Sequence, residues 1–230
     1  MRVLAFLFGW GLVAASAQQA STPKDINPVS GHRLPFPTRD DLDEDGKKVF
    51  DELTRHRDSD LPAKTRDEPS VRLYSPNLAK PMADVHRYLK YDTGLGNRLT
   101  EIAVLVTSRE LDGQYEWTQW EEHGRDPKDP RHIEAAIIDT IKYCKPVVGL
   151  GEKEGAVIAL GREMLGRKKV SSATFATVLR LFGRRGTVDL VELMGLYGAT
   201  IAEQVAFDVQ LRNEQPLLPA RAATPACHNR

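Results

Sequence analysis

Apolar residues in this chain recur every three or four positions, and no segment alternates apolar with polar at strand period. That pattern commits the chain to helices, because side chains three and four apart share a helix face while a half-buried strand needs a period of two. Leu78, Met82, Val85 and Leu89 show it first, and Leu99, Ile102, Ala103, Leu105 and Val106 widen it. It returns at Ile133, Ala136, Ile137, Thr140 and Ile141, and again at Ala156, Val157, Ala159, Leu160 and Met164. The expected fold class is all-α. The last segment, from Val188 through Leu190, Leu193, Met194 and Tyr197 to Phe207, is apolar on nearly every side. Such a helix belongs at the centre of a bundle or at a subunit contact.

Punctuation sets the boundaries. Thr38 caps a helix with acidic residues in its first turn, expected over about 40–57. Ser75-Pro76-Asn77 opens the next one, kinked or delayed by Pro81 and ended by Gly94 and Gly96. The central stretch runs from there to a break at Gly113, and a second helix carries Tyr115 to His123 before Gly124 and the Asp126–Pro130 turn. Four more helices are expected, over 132–143, 152–165, 173–182 (capped by Ser171) and from Thr187 to about Leu211. The prolines at 23, 28, 35 and 37 mark 18–37 as an exposed arm, 58–74 reads as a linker, and 219–230 as a disordered tail. One helical domain, 38–218, remains.

Residues 1–17 have the grammar of a secretory signal peptide: a positive start at Arg2, an apolar core from Val3 to Ala14, and Ala15-Ser16-Ala17 as the cleavage signal. The apolar core is too short for a stable bilayer span, so the expectation is a secreted or periplasmic protein with no membrane attachment after cleavage. Formal charge balances at zero, and no run of one sign offers a nucleic-acid groove. Only two cysteines occur, Cys144 in an apolar helical pattern and Cys227 in the tail, and the favoured reading leaves them unpaired. They form no C-x-x-C.

Proton-transferring side chains are densest between Gly94 and His123, which also holds two of the three tryptophans. Glu116, Trp120 and His123 fall within roughly 40° of one another on one helix face, with Trp117 beside them. A carboxylate and an imidazole among indoles make a partly dry pocket, where the charged carboxylate is disfavoured and acid–base work becomes accessible. The plainer reading puts Glu116 or His123 on a solvated face, next to Glu121 and Glu122, and the tryptophans in the core. No His-x-x-x-His or Glu-x-x-His stands in phase for a metal, Ser108 has no nucleophile elbow, and the Gly-x-Gly sequences follow no strand.

Taken together, these residues resemble the carboxymuconolactone decarboxylase family, which includes the alkylhydroperoxidase D-like proteins. The likeness starts with Leu99-Thr100-Glu101-Ile102-Ala103-Val104-Leu105 and Tyr115-Glu116-Trp117 with a histidine one to two turns on. It continues through Gly151–Ile158, Val170–Phe175, Phe182–Leu193 and Gly195-Leu196-Tyr197, covering about 34–218. The resemblance implies an alkylhydroperoxidase D-like helical bundle that assembles as a homo-oligomer, commonly a trimer or a multiple of it, with the site near a subunit contact. Family members decarboxylate a γ-lactone of aromatic catabolism or reduce peroxides. In the peroxidase branch a glutamate, a C-x-x-C and a histidine relay protons; by spacing these fall on Glu101, on Gly113 and Glu116, and on Trp120. The thiols are missing, so thiol peroxidase chemistry loses its nucleophile. The non-thiol branch reads Glu-Trp-x-x-His, and there too Trp120 stands at the histidine, with His123 three residues on.

The expected function is therefore a cofactor-free, decarboxylase-like lyase acting on a small carboxylated or lactone-type substrate. Glu116 is its acid–base group, His123 the partner, Glu101 a relay carboxylate, and Tyr115, Trp117 and Trp120 the pocket wall, with no metal. The alternative is a non-catalytic scaffold or small-ligand binder of the same fold, which Trp120 in the histidine position favours. Peroxidase activity ranks third.

Overall fold

The computed structural model describes residues 22–54, 71–211 and 217–220; the signal segment at 1–17, most of the linker and Cys227 lie outside them. Among the described residues every regular element is helical: α1 (Glu44–Thr54), α2 (Pro76–Arg87), α3 (Gly96–Glu110), α4 (Gln114–Arg125), α5 (Ala135–Lys142), α6 (Glu152–Gly161) and α7 (Ser172–Ala206). No helix in the described residues is long and apolar enough to cross a membrane.

α3 is the axis. Every residue from Thr100 to Glu110 is buried, and α4, α5, α6 and α7 all pack against this helix. Its neighbours contribute Trp117, Ile138, Ile141, Val157, Ile158, Leu190, Leu193 and Met194 to one continuous core. A helix surrounded in this way must hide polar side chains as well as apolar ones. Thr107 and Ser108 do so by donating their hydroxyls to the carbonyls of Ala103 and Val104, at 2.8 and 2.9 Å. That bond also answers the question of Ser108 as a nucleophile: it is a satisfied core residue. Arg109 donates to the Pro219 carbonyl at 2.7 Å, drawing residues 217–220 onto the bundle with Leu218 buried in the core.

The central place expected for α7 is thus taken by α3. Within this chain α7 is amphipathic, burying Leu190, Leu193, Met194, Tyr197 and Ile201 while Val188 and Val205 face outward. The two helices expected over 173–182 and from 187 are both present within α7, separated at Gly183, whose φ of 67° and ψ of −179° are non-helical and readily adopted only without a side chain. Other boundaries moved for local reasons. Thr38 caps only a single 3₁₀ turn, Arg39–Asp41, and α1 starts afresh where Asp43 accepts from the Gly46 N–H at 2.7 Å. Pro81 sits inside α2 without ending it, and the chain then winds wider into a π-helical turn, Tyr88–Asp92. The break between α3 and α4 comes where sequence placed it, but the positive φ (53°) belongs to Asp112 rather than to Gly113.

The proline-bearing stretch does not stand clear of the bundle. Arg33 donates its N–H to the Phe207 carbonyl and Gln210 donates to Gly31, each at 2.9 Å, and His32 is buried. Cys144, also buried, is disulfide-bonded, against the expectation of an unpaired thiol.

α6 reaches α3 closely at Gly161, where a β-carbon would stand 2.6 Å from Val106 Cγ1. Gly161→Ala is expected to lower stability by about 1–3 kcal/mol through overpacking. Gly195→Ala, where a β-carbon meets nothing within 4 Å, is expected to be neutral or stabilising by about 1 kcal/mol through helix propensity. Chemical denaturation midpoints of the two variants check the contrast.

Candidate functional site

Glu101 lies on the α3 axis with no exposed surface, and neither of its carboxyl oxygens has a hydrogen-bond partner among the described residues. Gly124 of α4 lies beside it: a β-carbon there would be 3.5 Å from Glu101 Oε1, in ordinary contact, with Ile133 and Ile138 alongside. Loss of hydration in this apolar setting disfavours the anion and pushes the Glu101 carboxyl up to about 9. Arg131 and Lys90 pull the other way, while Asp129 and Glu116 add to the rise. At neutral pH the group is a carboxylic acid, a proton donor embedded in hydrocarbon.

Two irregular segments bring charge to it. The π-helical turn supplies Lys90, whose ammonium stands 4.9 Å from the centroid of the Trp120 ring and 5.4 Å from that of Tyr91. The loop after α4 supplies Asp129 and Arg131. Arg131 donates to both oxygens of Asp129, at 2.8 and 2.6 Å, and this pairing holds the Asp129 carboxyl far below its usual range. His123 Nδ1 lies 3.1 Å from Asp129 Oδ2, and the imidazole is 41% exposed. Burial and the Arg131 charge lower its pKa, with Asp129 opposing them. His123 is one residue from Gly124, so the half-exposed imidazole and the buried acid flank the same turn of α4.

Trp120 is buried and meets Tyr197 of α7 edge-on, with ring centroids 5.3 Å apart. Behind Tyr197 lies His86, its Nε2 3.4 Å from the phenol oxygen. Burial, then the charges of Lys90 and Arg72, push this imidazole down to about 4. Lys90, Trp120, Tyr197 and His86 therefore form one contiguous wall of basic and aromatic side chains. Sequence reasoning passed over Lys90, Arg131 and His86, since each reaches the wall through an irregular turn or across to another helix. The only signal for His86 was its place in the last turn of α2, two residues before the π-helical winding.

The face of α4 expected to carry Glu116, Trp120 and His123 exists, but its three members meet different neighbours. Glu116 has no exposed surface, and its Oε2 accepts from Gln204 Nε2 of α7 at 2.6 Å. Tyr115 and Gln204 line a small cleft with His32, Val71, Thr200 and Glu203, on the α7 side of α4. Trp117 points into the core and donates its indole N–H to Glu121. Glu121, expected among solvated residues, is buried, and accepts from Lys142 at 2.8 and 2.9 Å and from Arg125 at 2.9 Å. That fully partnered pair is a structural ion bridge between α4 and α5. Among the described residues no group of three or more His, Cys, Asp or Glu side chains could hold a metal ion.

No protein-family model matches the chain, and no curated protein matches it either.

Glu101 and His86 bias stability in opposite directions. The unfolded chain ionises Glu101 near 4.5, whereas the folded chain holds its proton to about 9, so stability falls as pH rises between those values. The unfolded chain protonates His86 near 6.5, but the folded chain only near 4, so stability falls as pH drops through that window. Glu101→Gln is expected to flatten the alkaline limb and to gain on the order of a few kcal/mol at pH 8 relative to wild type. His86→Gln is expected to flatten the limb between pH 6.5 and 4. Thermal unfolding of the three proteins across pH 4–9 measures both.

Proposed function

We propose that the protein is an exported, carboxymuconolactone decarboxylase-like enzyme that needs no cofactor and acts on a small carboxylated or lactone-type molecule by Glu/His acid–base chemistry. The observation that carries this reading is the Glu101 carboxyl, buried without a hydrogen-bond partner and neutral up to about pH 9. Buried titratable groups with strongly shifted pKa values and named charged neighbours cluster at functional sites. The helical fold agrees with the resemblance in sequence, and the disulfide at Cys144 suits an oxidising compartment.

Glu101 takes the donor role in this reading, in place of Glu116, whose carboxyl is already held by Gln204. A substrate carbonyl beside Glu101 receives the proton as the bond to a leaving carboxylate breaks. The electron pair of that bond becomes an enol, and carbon dioxide departs. Carbon protonation from solvent and return of the enol proton to Glu101 complete the cycle. His123, half-exposed and set against Asp129, exchanges protons with solvent at the edge of the same turn. Trp117 and Trp120 keep the surroundings dry. Assembly into trimers or their multiples belongs to the same reading, supported by the outward Phe175, Val188 and Val205 along α7.

One observation favours the scaffold or ligand-binding alternative: Trp120 is packed edge-on against Tyr197, and Glu101 has no path to solvent without movement of its neighbours. Among the described residues peroxidase chemistry lacks a thiol, since Cys144 is buried in a disulfide.

Carbon dioxide release from a panel of γ-lactone carboxylates and β-keto acids tests the proposal. With a substrate that turns over, Glu101→Gln is expected to lower kcat by about 10²–10⁴-fold, and His123→Ala by a smaller factor. Unchanged turnover in Glu101→Gln refutes the assignment, and no turnover across the panel supports the scaffold.

A further inference from the structure

We propose that the corner between α3 and α4 is a peptide-recognition site for a leucine–proline segment, and that residues 217–220 of the same chain occupy it as a releasable strap. The proposal stands apart from any role of Glu101.

The corner reads main chain. Gln114, the first residue of α4, donates its side-chain Nε2 to the Leu218 carbonyl at 3.0 Å, and its Oε1 accepts from the Leu218 N–H at 2.9 Å. A primary amide carries the same donor and acceptor pair as a peptide unit, so this two-point contact holds residue 218 much as a sheet edge holds an added strand. Arg109, at the end of α3, takes the next carbonyl: its Nη1 donates to Pro219 at 2.7 Å. Proline has no N–H, so every main-chain donor and acceptor of Leu218 and Pro219 is engaged. Another residue in place of Pro219 would add a donor for which the corner offers no such bond.

The side chains complete the pattern. Leu218 is 3% exposed and belongs to the core, Leu217 before it is 56% exposed, and Ala220 is exposed again. The segment has no helical structure. A single buried anchor between solvated neighbours is how a bound peptide seats one side chain in a pocket.

The receiving side is held independently of the strap. α7 backs the corner: a β-carbon on Gly113 would stand 2.8 Å from Ile201, and one on Gly198 3.5 Å from Leu111. The Gly113 N–H donates to the Ser108 carbonyl at 2.8 Å, and Asp112 turns the chain at a φ of 53°. The Arg109 guanidinium also stands 3.6 Å from the Asp112 carboxylate. A clamp fixed in this way loses little freedom on capture. The strap, by contrast, bonds to residues 104 and 110 positions earlier in the chain and can open as a local unit while α3 keeps its helical neighbours.

Amide exchange of the full wild-type chain reads the release, and a labelled synthetic peptide of the sequence 215–220 reads the recognition. The Leu218 amide is expected to exchange at least about a hundredfold faster than the amides of Ile102 to Val106. Gln114→Ala is expected to speed it at least about tenfold further and to leave the α3 amides unchanged. Full-length Leu218→Asp, whose own strap cannot seat, is expected to bind the peptide saturably. The wild-type chain, with its site filled, is expected to bind it at least about tenfold more weakly. Adding Gln114→Ala to Leu218→Asp, or using a peptide that carries Leu218→Ala, is expected to cost at least about tenfold in affinity. Exchange of the Leu218 amide at the rate of the α3 core overturns the proposal, because the segment is then an integral part of the fold. So does loss of helical circular dichroism in Leu218→Asp, or a folded Leu218→Asp chain that takes up no peptide.

Discussion

Placing a helix where no face reaches water forces every polar side chain on it to be satisfied locally, neutralised, or left in a hydrocarbon setting. α3 uses all three. Thr107 and Ser108 turn back on their own helix, Arg109 reaches a carbonyl of the C-terminal segment, and Glu101 keeps its proton. Glu101 leaves both oxygens of a carboxyl without a hydrogen bond in the core. The remainder of the bundle is arranged around that fact: α4 supplies a residue without a side chain at position 124, and the two irregular turns on either side carry charge toward it. An unpaired buried acid is a standing energetic penalty. Apolar side chains of similar volume would remove it, so its presence calls for an explanation other than packing.

The contrast with Glu121 makes the same argument from the other direction. Both glutamates are buried within one bundle, but Glu121 is met by Lys142, Arg125 and the Trp117 indole, and its oxygens are fully engaged. A carboxylate treated that way is a fixed charge with a structural purpose. Glu101 has cations within electrostatic reach and still binds none of them. Lys90 lies over aromatic faces, and Arg131 is occupied by Asp129. The difference between the two environments separates a carboxylate engaged in a bridge from an acid left without a hydrogen bond.

The all-helical architecture was legible in the periodicity, because three- and four-residue spacing follows from helix geometry alone. Which helix would be central was not. α7 has the greasier sequence, but α3 has the neighbours, and its buried Thr, Ser, Arg and Glu side chains lower its apolar content without bringing it to the surface. The phase relation of Glu116, Trp120 and His123 was also readable, yet a shared face does not mean a shared environment on a helix that enters the core at one end and leaves it at the other. Glu116 meets α7, Trp120 meets Tyr197, and His123 meets the loop that returns after α4. Lys90 and Arg131 come from a widened turn and a short loop, whose geometry has no periodic trace in sequence. His86 gains significance only from α7, which packs against it more than a hundred residues later in the chain.

The break at Gly183 divides α7 into parts with very different holds on the molecule. Beyond it, Leu190, Leu193, Met194, Tyr197 and Ile201 are sunk in the core; before it, from Ser172 to Phe182, Val178 alone is buried. The leading part is held at its N-terminal cap, where Ser171 and Thr174 bond to Glu163, and by Val178, Leu181 and Phe182 at the edge of the core. Free energies of local opening follow buried contact, so the rod spans two cooperative units rather than one. Amide protons of the leading part can exchange with solvent through a partial unfolding that leaves the Tyr197 wall, and with it the buried acid, in place. The two sides of Gly183 thus differ in how much of the core each one holds.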